Sequence, residues 1–367
     1  MKKFLKKIVP WEIVRFVRKT QFIVTTGVAK LAGQFQLTSN LFYVFNNSFG
    51  DEHKAVLKGR VAYQESLGSV GESCALLRRN IHRIEKGLIM KPRRSIFAEG
   101  FIEDTVICYR KSMLSAELSV NEKKWATDVL DEYFGVVEDS RVIVKARNLF
   151  EEVRNKLNYK QDFKGATSLI DSGGPEFKPY VYGQLPKVSI KIDELEQLFL
   201  KRRSVRWYSD KQVPKSLVQK AANIASLAPS ACNRQPYRFL FCNNKNKVVE
   251  IANCASGTGG FAGNLQSIIV VVGDLSAYQF ERDRHLIYID GSLGTMQLML
   301  ALETLGLSTC PINWPEIYAN DKKIRNVVEL KDYERVVMLL AVGYADSECG
   351  IPFSQKKINE FILEDIS

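Results

Sequence analysis

The run Lys201-Arg202-Arg203-Ser204-Val205-Arg206 puts three guanidiniums and one hydroxyl within five consecutive positions. Forked arginine N–H groups and a serine O–H are the donors a phosphate takes up, because they match its charge and its acceptor oxygens. The same run also suits the solvated basic end of a helix, where cations complement the dipole. Further on, Ala228-Pro229-Ser230-Ala231-Cys232-Asn233-Arg234-Gln235-Pro236-Tyr237 holds small and amide residues between two prolines. A loop of that kind can offer backbone N–H and amide groups to a planar heterocycle, or simply join a helix to a strand. A third group, Arg78, His82, Glu85 and Lys86, shares one face of a helical stretch. His82, Glu85 and Lys86 are candidates to face a substrate; the other use of such a face is an ion-paired structural one. His53, His82 and His285 lie far apart, so there is no local metal motif. Gly257-Thr258-Gly259-Gly260 precedes a strand-like run instead of following one, which makes it a loop and not a dinucleotide fingerprint.

These groups need elements to hold them. From Asn46 to Asp171 the pattern is helical throughout, with the clearest case at Gly71–Leu88. There Leu77, Ile81, Ile84 and Leu88 recur at i, i+4, i+7 and i+11, and Gly87 offers a stop. Further helices are expected around Ile102–Ser119, Lys124–Val137 and Ser140–Leu157. Between Ser172 and Lys187, Gly173, Gly174, Pro175, Pro179, Gly183 and Pro186 disfavour any regular element. The expected organisation is a basic amphipathic segment over 1–40, a helical domain over 41–171, a linker over 172–190 and a second domain over 191–367. In the second domain Asp193 with Glu196 reads as a capping box, followed by a helix over Pro214–Leu227. Short β-rich runs at Arg238–Cys242, Ser267–Val272 and Arg335–Val342 flank a helix from Asp290 to Leu305 that Gly306 ends. The fold class is α+β, preceded by an all-α half.

With 367 residues, 46% apolar and 25% charged, the chain has the balance of a soluble globular protein of about two domains. Its net charge of +11 is uneven: residues 1–40 hold eight bases against Glu12 alone, leaving +4 for the rest. The body is therefore no general polyanion binder, and no nucleic-acid partner is expected. Pro10 can open a helix in which Ile13, Val17 and Val24 share one face and Glu12, Arg15, Arg18 and Lys19 the other, with Trp11 and Phe16 beside them. Two uses fit residues 1–36: lying in an anionic membrane surface, or packing on the protein's own body or a partner subunit. Seven cysteines without a C-x-x-C pair read as reduced, mostly buried thiols. No apolar run approaches the roughly 20 residues that span a bilayer, and the N-terminal segment lacks signal-peptide features. The expected location is cytoplasmic, and peripheral at the inner face of the membrane if the amphipathic helix docks there.

Taken together, R-R-S-V-R-x-Y and the later A-P-S-x-x-N-x-Q-P-Y resemble the nitroreductase family of FMN-dependent oxidoreductases. Asp290-Gly291-Ser292 through Ala301–Leu307 resembles the family's central helix, and Glu334–Tyr344 its last core strand, so the likeness runs over roughly Ile192–Leu363. It implies a central mixed sheet flanked by helices, FMN as cofactor, NAD(P)H as an available electron donor and a homodimer. Arg202, Arg203, Ser204 and Arg206 match positions that hold the FMN phosphate and ribityl chain. Pro229, Ser230, Ala231 and Asn233, with Gln235, match the loop bordering the isoalloxazine, usually from the opposite subunit. Asp290 matches a position reaching the ribityl or pyrimidine side, and Lys356 (or Lys357) the C-terminal base over the phosphate. Pro311, Ile312, Asn313 and Trp314 fall where the family places a backbone turn against flavin N5 and O4, and many members carry an acidic or glycine-containing turn there. The implied activity moves two electrons, as a hydride through flavin N5, to or from a small organic or biosynthetic molecule. The alternative is a protein that keeps the fold for binding or assembly without redox turnover. The segment around Arg78–Arg94 is also similar to helical extensions on nitroreductase-like proteins of bacterial surface-polysaccharide loci.

Overall fold

The computed structural model describes residues 10–366 apart from 47, 69, 171–173 and 358–361; the first nine residues, including Lys2, Lys3, Lys6 and Lys7, lie outside it. The chain forms two units, residues 1–54 and 55–367. In the first, Pro10 caps helix α1 (Trp11–Ala32), as its missing N–H allows, and α2 (Gln36–Asn46) follows. The Thr38 hydroxyl donates to the Ala32 carbonyl at 2.7 Å, satisfying an acceptor that the end of α1 leaves open. Helix α3 (Gly50–Ser66) begins in this unit and ends in the next. Among the described residues, no helix is long and apolar enough to cross a membrane.

In the second unit, α4 (Ala75–Leu88), α5 (Ile102–Leu114), α6 (Val120–Val136) and α7 (Arg141–Arg154) close around one apolar core. The stripe Leu77, Ile81, Ile84 and Leu88 is buried in it, as the spacing requires. α4 runs one residue past Gly87, so that glycine does not end it. Two polar groups inside this core are paired: Asn80 donates to Thr105 at 3.0 Å, and the Tyr133 hydroxyl to the Phe97 carbonyl at 2.8 Å. The irregular stretch that follows α7 is tied back to α6, with Phe177 N–H donating to Asp128 at 2.6 Å.

The N-cap of helix α8 (Ile192–Lys201) lies two residues before the expected one. Lys191 is the N-cap, its N–H taken by Glu194 at 2.8 Å, which leaves Asp193 in the first turn facing the dipole. Then come α9 (Lys215–Ala225), β1 (Tyr237–Cys242), α10 (Lys245–Ala252), β2 (Ser267–Asp274), α11 (Leu286–Thr304), β3 (Ser308–Asn313), α12 (Tyr318–Val327) and β4 (Glu334–Gly343). The sheet order is β1-β2-β4-β3, with every ladder antiparallel. Its mixed character comes from one parallel bridge, Ser204 to Thr309. Side chains alternate across β2: Ile269 and Val271 pack with Leu298 and Leu302 of α11, whereas Ile268, Val270 and Val272 pack with Val248 and Ile251 of α10. The pairing of β2 with β4 slips between Val271 and Val272, so Val337 has no partner and bulges toward Gly291 of α11. Gly306, at φ +76°, ends α11 as its position implied.

α11 lies so close to β1 that a Cβ on Gly294 would stand 2.6 Å from the Tyr237 ring. Gly294→Ala should therefore displace Tyr237 and cost roughly 1–3 kcal/mol in urea unfolding. Gly183→Ala, with nothing within 4 Å of the added atom, should change stability by less than about 0.5 kcal/mol.

Candidate functional site

Two groups of the candidate residues are assembled at two places in the second unit. The first follows the outer edge of β3. Arg202 caps α8, Ser204 bridges Thr309, and Val205 N–H donates to the Thr309 carbonyl at 3.0 Å. A strand residue points its N–H and C=O to the same side, so Thr309, Pro311 and Asn313 all face away from β4. Pro311 is tolerated there because the N–H it lacks would be on the open edge. The expected turn at Pro311, Ile312, Asn313 and Trp314 is thus a strand through Asn313, whose N–H points outward. Trp314 is buried, and its indole N–H donates to Asp321 at 2.8 Å, which makes it a core side chain. Asp321 also accepts from Arg335 at 3.0 Å, and Arg335 pairs with Glu316.

Around this edge the donors are largely unspent. Arg206 reaches its own turn weakly, at 3.3 Å to the Ser204 carbonyl, and lies 5.8 Å from the Phe261 ring centre. Among the described residues, neither the Arg202 guanidinium nor the Ser204 hydroxyl has a hydrogen-bond partner, and the buried Thr309 hydroxyl beside them has none either. Arg203 differs: one of its nitrogens donates to the carbonyls of Pro352 and Phe353 at 2.9 and 2.6 Å, pinning the C-terminal segment. Lys356 lies exposed a few residues beyond that anchor. Burial pushes the Cys310 thiol up, and the positive charges of Arg206 and Arg202 oppose it. Burial likewise raises Glu303, against the pull of Lys201, Ser308 and Arg202.

The second group is the loop before β1. Cys232, Asn233 and Gln235 all adopt positive φ, 52°, 51° and 49°, a strained choice for residues with a Cβ. Contacts from several elements hold it. The Ser230 hydroxyl accepts from Gln235 N–H at 3.1 Å, and Asp290 of α11 accepts from Ala231 N–H at 2.9 Å and from the Tyr278 hydroxyl at 3.2 Å. Burial raises the Asp290 carboxyl, and those two donors pull it back. Asp290 therefore positions the loop. Pro229 is exposed at the start of the loop.

Sequence reasoning placed Arg78 on the right face but missed its partners. It donates from Nε to the Asn233 carbonyl at 2.9 Å, from Nη2 to the Gln235 side chain at 3.1 Å and from Nη1 to Glu122 at 3.0 Å. Glu122, 3% exposed, accepts also from Ser73 and the Cys74 N–H. It is remote in sequence from both, so no local pattern announces it. One turn on from Arg78, His82 Nδ1 lies 3.3 Å from Glu85, whose other oxygen accepts from the Trp125 indole at 2.9 Å. Lys86 is exposed. His82 and Glu85 are thus brought together, one turn along α4 from Arg78, whose side chain holds the loop.

A model of the nitroreductase family matches residues 200–259 and 255–344. A protein of Archaeoglobus fulgidus that carries the name NADH dehydrogenase/NAD(P)H nitroreductase is 28% identical over 162 residues, 43% of this chain and 88% of its own. Iodotyrosine deiodinase 1 of Homo sapiens is 23% identical over 215 residues, 50% of this chain and 72% of its own. Among solved structures, an FMN-dependent nitroreductase from Clostridium difficile is 28% identical, with 42% of this chain and 91% of that one covered at a TM-score of 0.37. The segments matched include both the β3 edge with its arginines and the strained loop, so residues 200–344 carry a nitroreductase family domain.

Proposed function

We propose that this chain is an FMN-dependent oxidoreductase that passes two electrons, as a hydride, between a donor such as NAD(P)H and a small organic molecule. The observation that carries the reading is the unspent donor set on the β3 edge: Arg202, Arg206 and Ser204 around an open strand, with the unpartnered Thr309 hydroxyl beneath. Two guanidiniums and a hydroxyl match a phosphate that carries close to two charges, and the strand edge matches a flat ring. FMN, when bound, supplies the hydride chemistry at its N5. Arg202, Arg206 and Ser204 hold its phosphate and ribityl end, while Arg203 keeps the C-terminal segment and Lys356 near them. The outward N–H of Asn313 would be a donor to the ring edge, a fixed dipole that would favour negative charge there without a titrating side chain. His82 and Glu85, one turn beyond the loop clamp on α4, face the substrate side.

A homodimer belongs to this reading. The face of α11 opposite the sheet leaves Ile289, Leu293 and Met296 exposed at i, i+4 and i+7, an apolar stripe suited to a second subunit. In the dimer the strained loop of one subunit borders the ring held by the other.

Purified protein should be yellow or take up added FMN, and a colourless protein unable to bind it would favour a fold kept for binding alone. Arg202→Ala should weaken FMN affinity about ten- to a hundredfold, the worth of one charge-assisted hydrogen bond, and Lys356→Ala less. Unchanged affinity in Arg202→Ala, read by flavin fluorescence quenching, would place the phosphate elsewhere.

Arg78→Met strands a buried carboxylate and frees the loop, so it should cost about 3–5 kcal/mol in urea unfolding and weaken FMN binding as well. Adding Glu122→Leu should recover much of the stability but not the affinity, a split that separates the loop clamp from the ion pair. Light scattering on a dilution series checks the dimer: the flavin-loaded species should keep twice the chain mass, and a monomer retaining FMN would refute the shared site.

A further inference from the structure

Nothing in the flavin reading uses residues 10–46, yet they hold a concentration of exposed apolar surface. Neither α1 nor α2 has a single buried residue. Phe16 and Phe22 are each 70% exposed, Leu31 68% and Phe45 87%. Soluble proteins seldom leave a contiguous apolar area above a few hundred Å² open to water without a partner for it.

The arrangement of these residues says what the partner is. At about 100° per residue, Ile13, Phe16, Val17, Val24, Val28 and Leu31 fall within one half of the α1 wheel. Arg15, Arg18, Lys19 and Lys30 fall within the other, with Glu12 the sole acid. α2 continues the apolar surface with Leu37, Leu41 and Val44 at i, i+4 and i+7 and has no charged side chain. Four charges in the first half of α1 and Lys30 near its end keep it from crossing a bilayer, in agreement with the absence of a spanning helix among the described residues. Eight bases against one acid over residues 1–40 add a field that draws an anionic surface. A partner that is apolar within and anionic at its boundary answers both faces at once.

We infer that α1 lies in the plane of an anionic lipid surface, with its arginines and lysines on the headgroups and its Ile/Phe/Val face at the acyl boundary. α2 extends the apolar contact, and the rest of the chain is held at the membrane by this segment. The inference is independent of the flavin site, so either can fail alone.

The full-length protein is mixed with phosphatidylglycerol/phosphatidylcholine vesicles or with phosphatidylcholine vesicles, and sedimented. It should sediment with the anionic vesicles, remain in solution with the neutral ones, and be released as salt rises to about 0.5 M, where screening shortens to roughly 4 Å. Arg15→Glu/Arg18→Glu/Lys19→Glu should lower vesicle affinity by about a hundredfold, at about fivefold for each basic residue removed. Phe16→Ser/Val24→Ser should weaken binding even at low salt, because charge alone does not bury the helix. The salt titration uses the unaltered chain and so requires no variant to fold. Equal sedimentation with both vesicle types, or with neither, would overturn the inference. So would a lipid-free increase in mass with concentration that Phe16→Ser/Val24→Ser abolishes, since the apolar face would then be covered by a second copy.

Discussion

Glu122 is a carboxylate placed where water barely reaches, and the Arg78 guanidinium is its charged partner. An unpaired charge at that depth costs several kcal/mol, so the pair cannot be dissolved without penalty. With one nitrogen committed to Glu122, the remaining edges of the planar fork are aimed at the Asn233 carbonyl and the Gln235 amide. Those two residues and Cys232 sit in a backbone region that costs roughly 1–3 kcal/mol each to hold. The loop keeps its shape because a buried ion pair on the helical side fixes the group that holds it. The helices of the second unit are therefore part of the site's scaffold.

The donors fall into two classes by what they have left to give. At the loop the groups are spent: Gln235 N–H on the Ser230 hydroxyl, the Gln235 amide on the Ser226 carbonyl, and Ala231 N–H and the Tyr278 hydroxyl on Asp290, which makes the loop rigid. At the β3 edge, Arg202, Arg206 and Ser204 retain their capacity, while Arg203 spends a nitrogen on Pro352 and Phe353. A surface that both orients a cofactor and binds it has this division, with preorganised backbone on one side and available charge on the other.

The sequence made the helices legible because their cores are periodic: Leu77, Ile81, Ile84 and Leu88 declare α4 without help. β2 announced itself by its unbroken Ile/Val run. β3 did not, because Pro311 is a breaker in any local reading and only the sheet order shows that its missing N–H faces outward. The strained positions of the loop escaped for a related reason: left-handed backbone is normally flagged by glycine, and here Cys232, Asn233 and Gln235 adopt it under tertiary constraint. The Trp314 side chain is committed to the core through its indole on Asp321, a partner that the sequence around it does not announce. Arg78 and Glu122 needed the fold, since their pairing is a fact about two helices and not about spacing along one.

Pro311 has one more effect on the edge it occupies. An exposed strand edge with a full row of N–H donors is a template onto which another chain's strand can add, the usual beginning of aggregation. On the outward side of β3, Thr309 is already bridged to Ser204 and Pro311 has no hydrogen to give, so Asn313 alone remains as a donor. A single isolated N–H cannot register an incoming strand, but it is enough for one acceptor atom on a small molecule. The proline thus closes the edge to polypeptide while leaving it open to a ligand.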